Sequence, residues 1–235
     1  MKENLPDGCD DIRFMRSLSE GDEKLRPWNE AVERFLETGD DWLWCTANDV
    51  TFLPGTLKRL LSWDKPLVSA LVFMRASPVV PHIWQSYGDD KAYAMRLKDT
   101  FEWFMTNKDM IGFGPMIQEP KPAEALAPIN FTSTSCTLIH RSVLEKMEKP
   151  YFEMDGYMGG GEDRRFMEKA KALGFQAYVD RSCIAGHLIG DIPSSSADFI
   201  CWFQSSIYHN TGEPGTEVPP EGESDNGSQP VRSSN

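Results

Sequence analysis

The stretch Trp42-Leu43-Trp44-Cys45-Thr46-Ala47-Asn48-Asp49 decides how this chain is read. An apolar strand runs straight into an amide and a carboxylate, and Pro54-Gly55 and a new helix follow. An acid at the carboxyl end of a buried strand stands where open α/β sheets bind ligands. A carboxylate with nothing to bind falls more often in a loop or on a helix face. Asp49 is therefore the first candidate for a metal or diphosphate site.

Working outward, helix and strand patterns alternate. Upstream, Pro27 marks a first turn, and Trp28, Ala31, Val32, Phe35 and Leu36 recur at amphipathic spacing until Gly39. Downstream, Thr56 starts a short helix with Leu57, Leu60 and Leu61 inward, and Pro66 to Phe73 reads as a strand buried on both faces. Such runs imply a parallel or mixed central sheet. Between Gly88 and Pro128 the pattern loosens around a helix from Lys91 to Asn107 and the interrupted stretch Gly112-Phe113-Gly114-Pro115, which suits a lid or an acceptor-side insertion. Phe131 to His140 reads as a Thr/Ser-rich strand, and Ser142 with Glu145 as a capping box. Gly159-Gly160-Gly161 precede Glu162-Asp163 and a helix that ends at Gly174. Phe175 to Asp180 is a further strand, Cys183 to His187 leads out of the sheet, and Ser196 to Tyr208 forms a final helix.

The 235 residues suit one domain with a single core. A net charge of -12 and a pI of about 4.8 disfavour nonspecific binding to nucleic acid or anionic membrane, and no Lys/Arg run offers a local exception. Five cysteines without C-x-x-C spacing argue against a zinc site and a disulfide framework, so a reducing, cytoplasmic setting is expected. No apolar run reaches the roughly 18 residues of a membrane span. Residues 1–210 are read as the folded domain. Residues 211–235, rich in Gly, Pro, Ser and Glu, are read as a disordered acidic tail.

Polar groups that end apolar segments mark three spots: Asn48-Asp49, Glu162-Asp163 and His187. Carboxylates at a helix amino terminus are favoured by the macrodipole and can be simple caps, but three preceding glycines let backbone approach a ligand. Asp49 and His187 together offer a hard oxygen and an imidazole, which suits Mn2+ or Mg2+ completed by diphosphate oxygens and water. Asp163 could then take a proton from an acceptor hydroxyl.

The order of these motifs resembles the GT-A glycosyltransferases of family 2. The resemblance runs through Asp41 to Asp49, Leu57 to Leu61, Val68 to Val72, Cys136 to Leu144, Pro150-Tyr151-Phe152, Gly161 to Phe166 and Gly186-His187. It implies an α/β, GT-A-like (Rossmann-like) three-layer sandwich with a mostly parallel central sheet, and metal-assisted, inverting transfer from a nucleotide-sugar such as a UDP- or GDP-sugar. On that resemblance Asn48, Asp49, Arg26 and Asn29 bind the donor, Asp49 and His187 hold the metal, and Asp163 with Glu162 forms the acceptor-base motif. Two departures stand out. Ala47 occupies the place of the family's first metal-binding acid, and Trp28 that of an arginine, with Arg26 as its substitute on this resemblance. Asp10 to Met15 resembles the family's second strand, so the expected domain is truncated at its amino end. The competing expectations are a GT-A-derived binding protein without catalysis and a nucleotidyltransferase.

Overall fold

A computed structural model describes residues 25–74, 79–84, 90–106, 123–154, 162–189 and 192–209. Helix α1, Arg26–Thr38, has Pro27 in its first turn, where a missing N–H leaves no helical bond unmade. It ends where Gly39 takes φ 80°, a left-handed conformation open to glycine at little cost. Val32 and Phe35 turn into the core. Strand β1, Trp42–Thr46, follows at once and turns through Ala47 and Val50 into the short strand β2, Val50–Phe52. Helix α2, Thr56–Leu61, leads to β3, Leu67–Val72, every residue of which is buried.

Beyond β4, Ile83–Trp84, and helix α3, Asp90–Thr106, come β5, Leu126–Ile129, β6, Phe131–Thr132, and β7, Cys136–His140. The single Thr/Ser-rich strand expected from Phe131 to His140 is thus broken at residues 133–135. Helix α4, Arg141–Lys146, is capped by His140, whose side chain accepts the Ser142 N–H; the expected Ser142–Glu145 box does not form, and Glu145 lies 3.5 Å from Arg141 instead. Helix α5, Glu162–Ala172, begins on the acidic pair, and β8, Ala177–Ile189, runs without interruption through the segment expected to leave the sheet. Strand β9, Ile192–Pro193, and helix α6, Ser196–His209, complete the described fold.

The sheet order is β1-β7-β3-β8-β2, with β5 and β9 also pairing with β8. Among the described residues, only β3 and β8 pair in parallel; β1 with β7, β3 with β7, and β2, β5 and β9 with β8 are all antiparallel. This overturns the GT-A-like, Rossmann-like sandwich with a mostly parallel sheet: the sheet is mixed and dominated by antiparallel pairs. The mostly parallel sheet was implied by the resemblance, and the β3 run, read as parallel or mixed, could not test it. That run of apolar residues reports burial on both faces, and that burial arises here beside an antiparallel neighbour as readily as inside a parallel sheet. One face packs in the larger core, with Phe35, Val143, Phe166 and Phe199, and the other packs in a smaller core with Leu60, Cys136 and Cys183. The expected second strand at residues 10–15, the Gly159-Gly160-Gly161 run, the Gly112 to Pro115 stretch and the tail at 211–235 lie outside the described residues.

Candidate functional site

The turn from Ala47 to Val50 carries Asn48 and Asp49 out of β1, and β2 then runs antiparallel to β8 with Val50 opposite His187. The Leu188 N–H donates to the Asp49 carbonyl at 2.9 Å, which fixes the two backbones against each other. Asp49 Oδ1 lies 3.5 Å from His187 Nε2, and the Asp49 side chain stays 32% exposed, open to a ligand from solvent. The two residues separated by most of the sequence are therefore neighbours.

The other face of the His187 ring system is equally determined. Nδ1 is 3.1 Å from the Phe73 carbonyl oxygen, which can only accept, so Nδ1 carries a proton and donates it. In the neutral ring this leaves a lone pair on Nε2 facing a carboxylate oxygen. A histidine whose second nitrogen donates to a backbone carbonyl is oriented as metal-ligating histidines are. The donor set, one carboxylate and one imidazole, fits Mn2+ or Mg2+ with further oxygens from a ligand. Among the described residues, no group of three His, Cys, Asp or Glu side chains converges to hold a metal.

A second cluster is tied to the first through backbone. The Ala47 N–H donates to the Ser135 carbonyl at 3.0 Å, which places the end of β1 against the turn at residues 133–135. From that turn the Thr134 hydroxyl donates to Asp163 Oδ1, and the Ser133 and Ser135 hydroxyls are 2.5 Å apart. Burial pushes the Asp163 carboxyl above its ordinary value, and the neighbouring charge of Glu162 adds to this; hydrogen bonds from Thr134 and Ser133 pull the other way. Cys45, on β1, feels the same carboxylate: burial first and the Asp163 charge second push its thiol up to about 12. Beside His187, burial and then the imidazole of His187 lower His82 to about 4, so it is neutral at physiological pH.

Asn29 is placed in a tether. Its amide nitrogen donates to the Leu25 and Phe152 carbonyls at 3.1 and 2.9 Å, and its oxygen accepts the Phe152 N–H at 3.0 Å, latching α1 to the segment before α5. Arg26 opens α1, but its side chain lies outside the described residues. Asn48 occupies the turn beside Asp49. Thr134, Ser133 and the Phe73 carbonyl were not singled out from sequence. The Thr132 to Ser135 run of four hydroxyl residues is the signal that could have found the first two; a carbonyl at the end of β3 carries no signal at all.

Neither a protein-family model nor a curated protein matches this chain. Among solved structures it is similar to one titled "Crystal Structure of A197 from STIV", at 18% identity and a TM-score of 0.48 over 76% of this chain and 75% of that one.

Proposed function

We propose that the chain is a glycosyltransferase that moves a sugar from a nucleotide-sugar donor, a UDP- or GDP-sugar, to an acceptor hydroxyl. The observation that carries this is the meeting of His187 Nε2 and Asp49 Oδ1 at 3.5 Å with Nδ1 committed to the Phe73 carbonyl. Asp49 and His187 would hold Mn2+ or Mg2+, and the metal when bound would neutralise charge on the departing diphosphate. Asn48 lies beside that pair on the donor side. Asp163 is the base. Its raised proton affinity suits it to take the acceptor's proton, while the Thr134 hydroxyl, by donating to it, limits how far that affinity rises. Glu162 acts on it through charge. Direct displacement with inversion needs one base and no enzyme nucleophile, which matches this set.

The test is release of nucleoside diphosphate from a panel of UDP- and GDP-sugars with Mn2+. Release that disappears in Asp163→Asn supports the reading, and no release or binding with any donor sinks it. Label arriving from the α-phosphate instead of the sugar would make the chain a nucleotidyltransferase.

A second reading, sugar-nucleotide binding without catalysis, is favoured by Ala47. Its N–H is bonded to Ser135 and its methyl packs against the smaller core, so the site has one acid where two would hold a metal more firmly. Donor binding with no turnover, unchanged in Asp163→Asn, distinguishes it. A cytoplasmic setting accompanies both readings, supported by Cys45, Cys136 and Cys183 standing buried as free thiols. No described helix is long and apolar enough to cross a membrane.

A further inference from the structure

Strand β8 does not run evenly beside β3. Ala70 pairs with Asp180 and Leu71 with Ile184, so residues 181–183 have no partner on β3. An odd number of extra residues reverses the alternation of side chains along a strand. Before the bulge, Ala177 and Val179 face the larger core; after it, Ile184 faces that core and Ala185 the smaller one. His187 therefore shares the face of Ala185, and of Val50 directly opposite it in the smaller core. With regular alternation from Asp180 it would point to the other face.

What holds the bulge is a polar cluster buried around Arg59, Asp180 and Ser182. Asp180 Oδ2 accepts from Arg59 Nε at 2.8 Å and Trp63 Nε1 at 2.6 Å, and Oδ1 accepts the Ser182 N–H at 2.9 Å and its hydroxyl at 2.5 Å. Arg59 Nη2 closes the ring on Ser182 Oγ at 2.6 Å. The Arg59 and Asp180 side chains are both 0% exposed. From the opposite face Arg181 reaches Asp99 at 3.1 Å and lies over Trp103, so the bulge is gripped on both sides. A buried ion pair is a poor source of net stability but a good means of excluding alternative registers, because a slip leaves charges unpaired.

We propose that Arg59, Asp180 and Ser182 are positioning residues: their cluster locks the three-residue bulge that sets which face of β8 carries His187, and with it the 3.5 Å meeting of His187 Nε2 with Asp49 Oδ1. The inference rests on the reading of Asp49 and His187 as a cation site, but its test does not. Ring-nitrogen NMR on the full chain reports whether His187 holds its proton on Nδ1. The wild type is expected to show that single tautomer. Ser182→Ala and Arg59→Met are expected to keep cooperative melting and lose the single-tautomer signature, with Arg59→Lys restoring part of it. Phe166→Ala, which disturbs the larger core away from the bulge, is expected to keep it. An unchanged His187 signature in Ser182→Ala and Arg59→Met, or an equal change in Phe166→Ala, overturns the proposal; if Arg59→Met does not fold, Ser182→Ala decides alone. Mn2+ added to the wild type separates the two claims. Absence of broadening at His187 defeats the cation reading and leaves the tautomer comparison standing.

Discussion

Replacing Thr134 by valine removes one hydroxyl from the site and nearly preserves its shape. That hydroxyl donates to Asp163 Oδ1, and it is the largest influence favouring the ionised carboxylate against burial and the charge of Glu162. A hydrogen bond to a charged group contributes about 1.5–3 kcal/mol net. At roughly 1.4 kcal/mol per factor of ten, its loss lowers the ionised fraction of Asp163 by about ten- to a hundredfold on the acid side of its titration. The Thr134 backbone N–H and the Ser133 side chain still favour the ionised form, so the lower end of that range is expected. Carboxyl carbon NMR follows the titration directly and needs no substrate. The midpoint should move to higher pH in Thr134→Val, and the acid limb of diphosphate release should move with it while the plateau is retained. A midpoint that stays put or falls, or turnover reduced equally at every pH, would refute the reasoning that Thr134 tunes Asp163.

Other consequences can be checked by simpler means. Because folding raises the Asp163 carboxyl above its ordinary value of 3.8, the folded state holds the proton more tightly than the unfolded chain, and its stability falls as pH rises from that value through the folded midpoint. Asp163→Asn should abolish this slope, so urea midpoints of variant and wild type should diverge upward through that window, in favour of the variant. Arg141 donates to the Asp40 carbonyl at 2.6 Å and to the Leu36 and Phe35 carbonyls at 3.2 and 3.1 Å, closing the end of α1; Arg141→Met should cost about 2–3 kcal/mol in chemical denaturation. Burial pushes the Cys45 and Cys136 thiols up to about 12, whereas Cys201 is exposed. Cys201→Ser should therefore remove one fast-reacting thiol in a native thiol titration, and Cys45→Ser none.

Much of the element order was legible because local chemistry governs it. Pro27 and Gly39 bound α1 by their backbone preferences alone, and the apolar run of β3 announced burial on both faces. Strand direction was not legible. A buried run states that both faces are covered and is silent on which way its neighbours run, so it left the sheet parallel or mixed; the mostly parallel sheet was implied by the family resemblance alone, and antiparallel pairs prevail. The bulge in β8 was hidden for a related reason: the strand was read as ending at Asp180, yet Asp180, Arg181 and Ser182 are each buried against partners distant in sequence, and the strand continues. At the site, the sequence offered Asp49, Asp163 and His187 as three separate signals. Asp49 and His187 meet through the pairing of β2 with β8, and Asp163 is held by Thr134 in a second cluster tied to the end of β1 by the Ala47–Ser135 backbone bond, none of which a local pattern encodes.

Calorimetric titration of Mn2+ into the full chain, with and without UDP, tests the central claim most directly. The account predicts Mn2+-dependent UDP binding that weakens at least tenfold in His187→Ala and in Asp49→Ala, while His140→Ala, a histidine on the cap of α4, leaves it unchanged. Absence of Mn2+-dependent binding in the wild type, or binding indifferent to both Asp49 and His187, would contradict it.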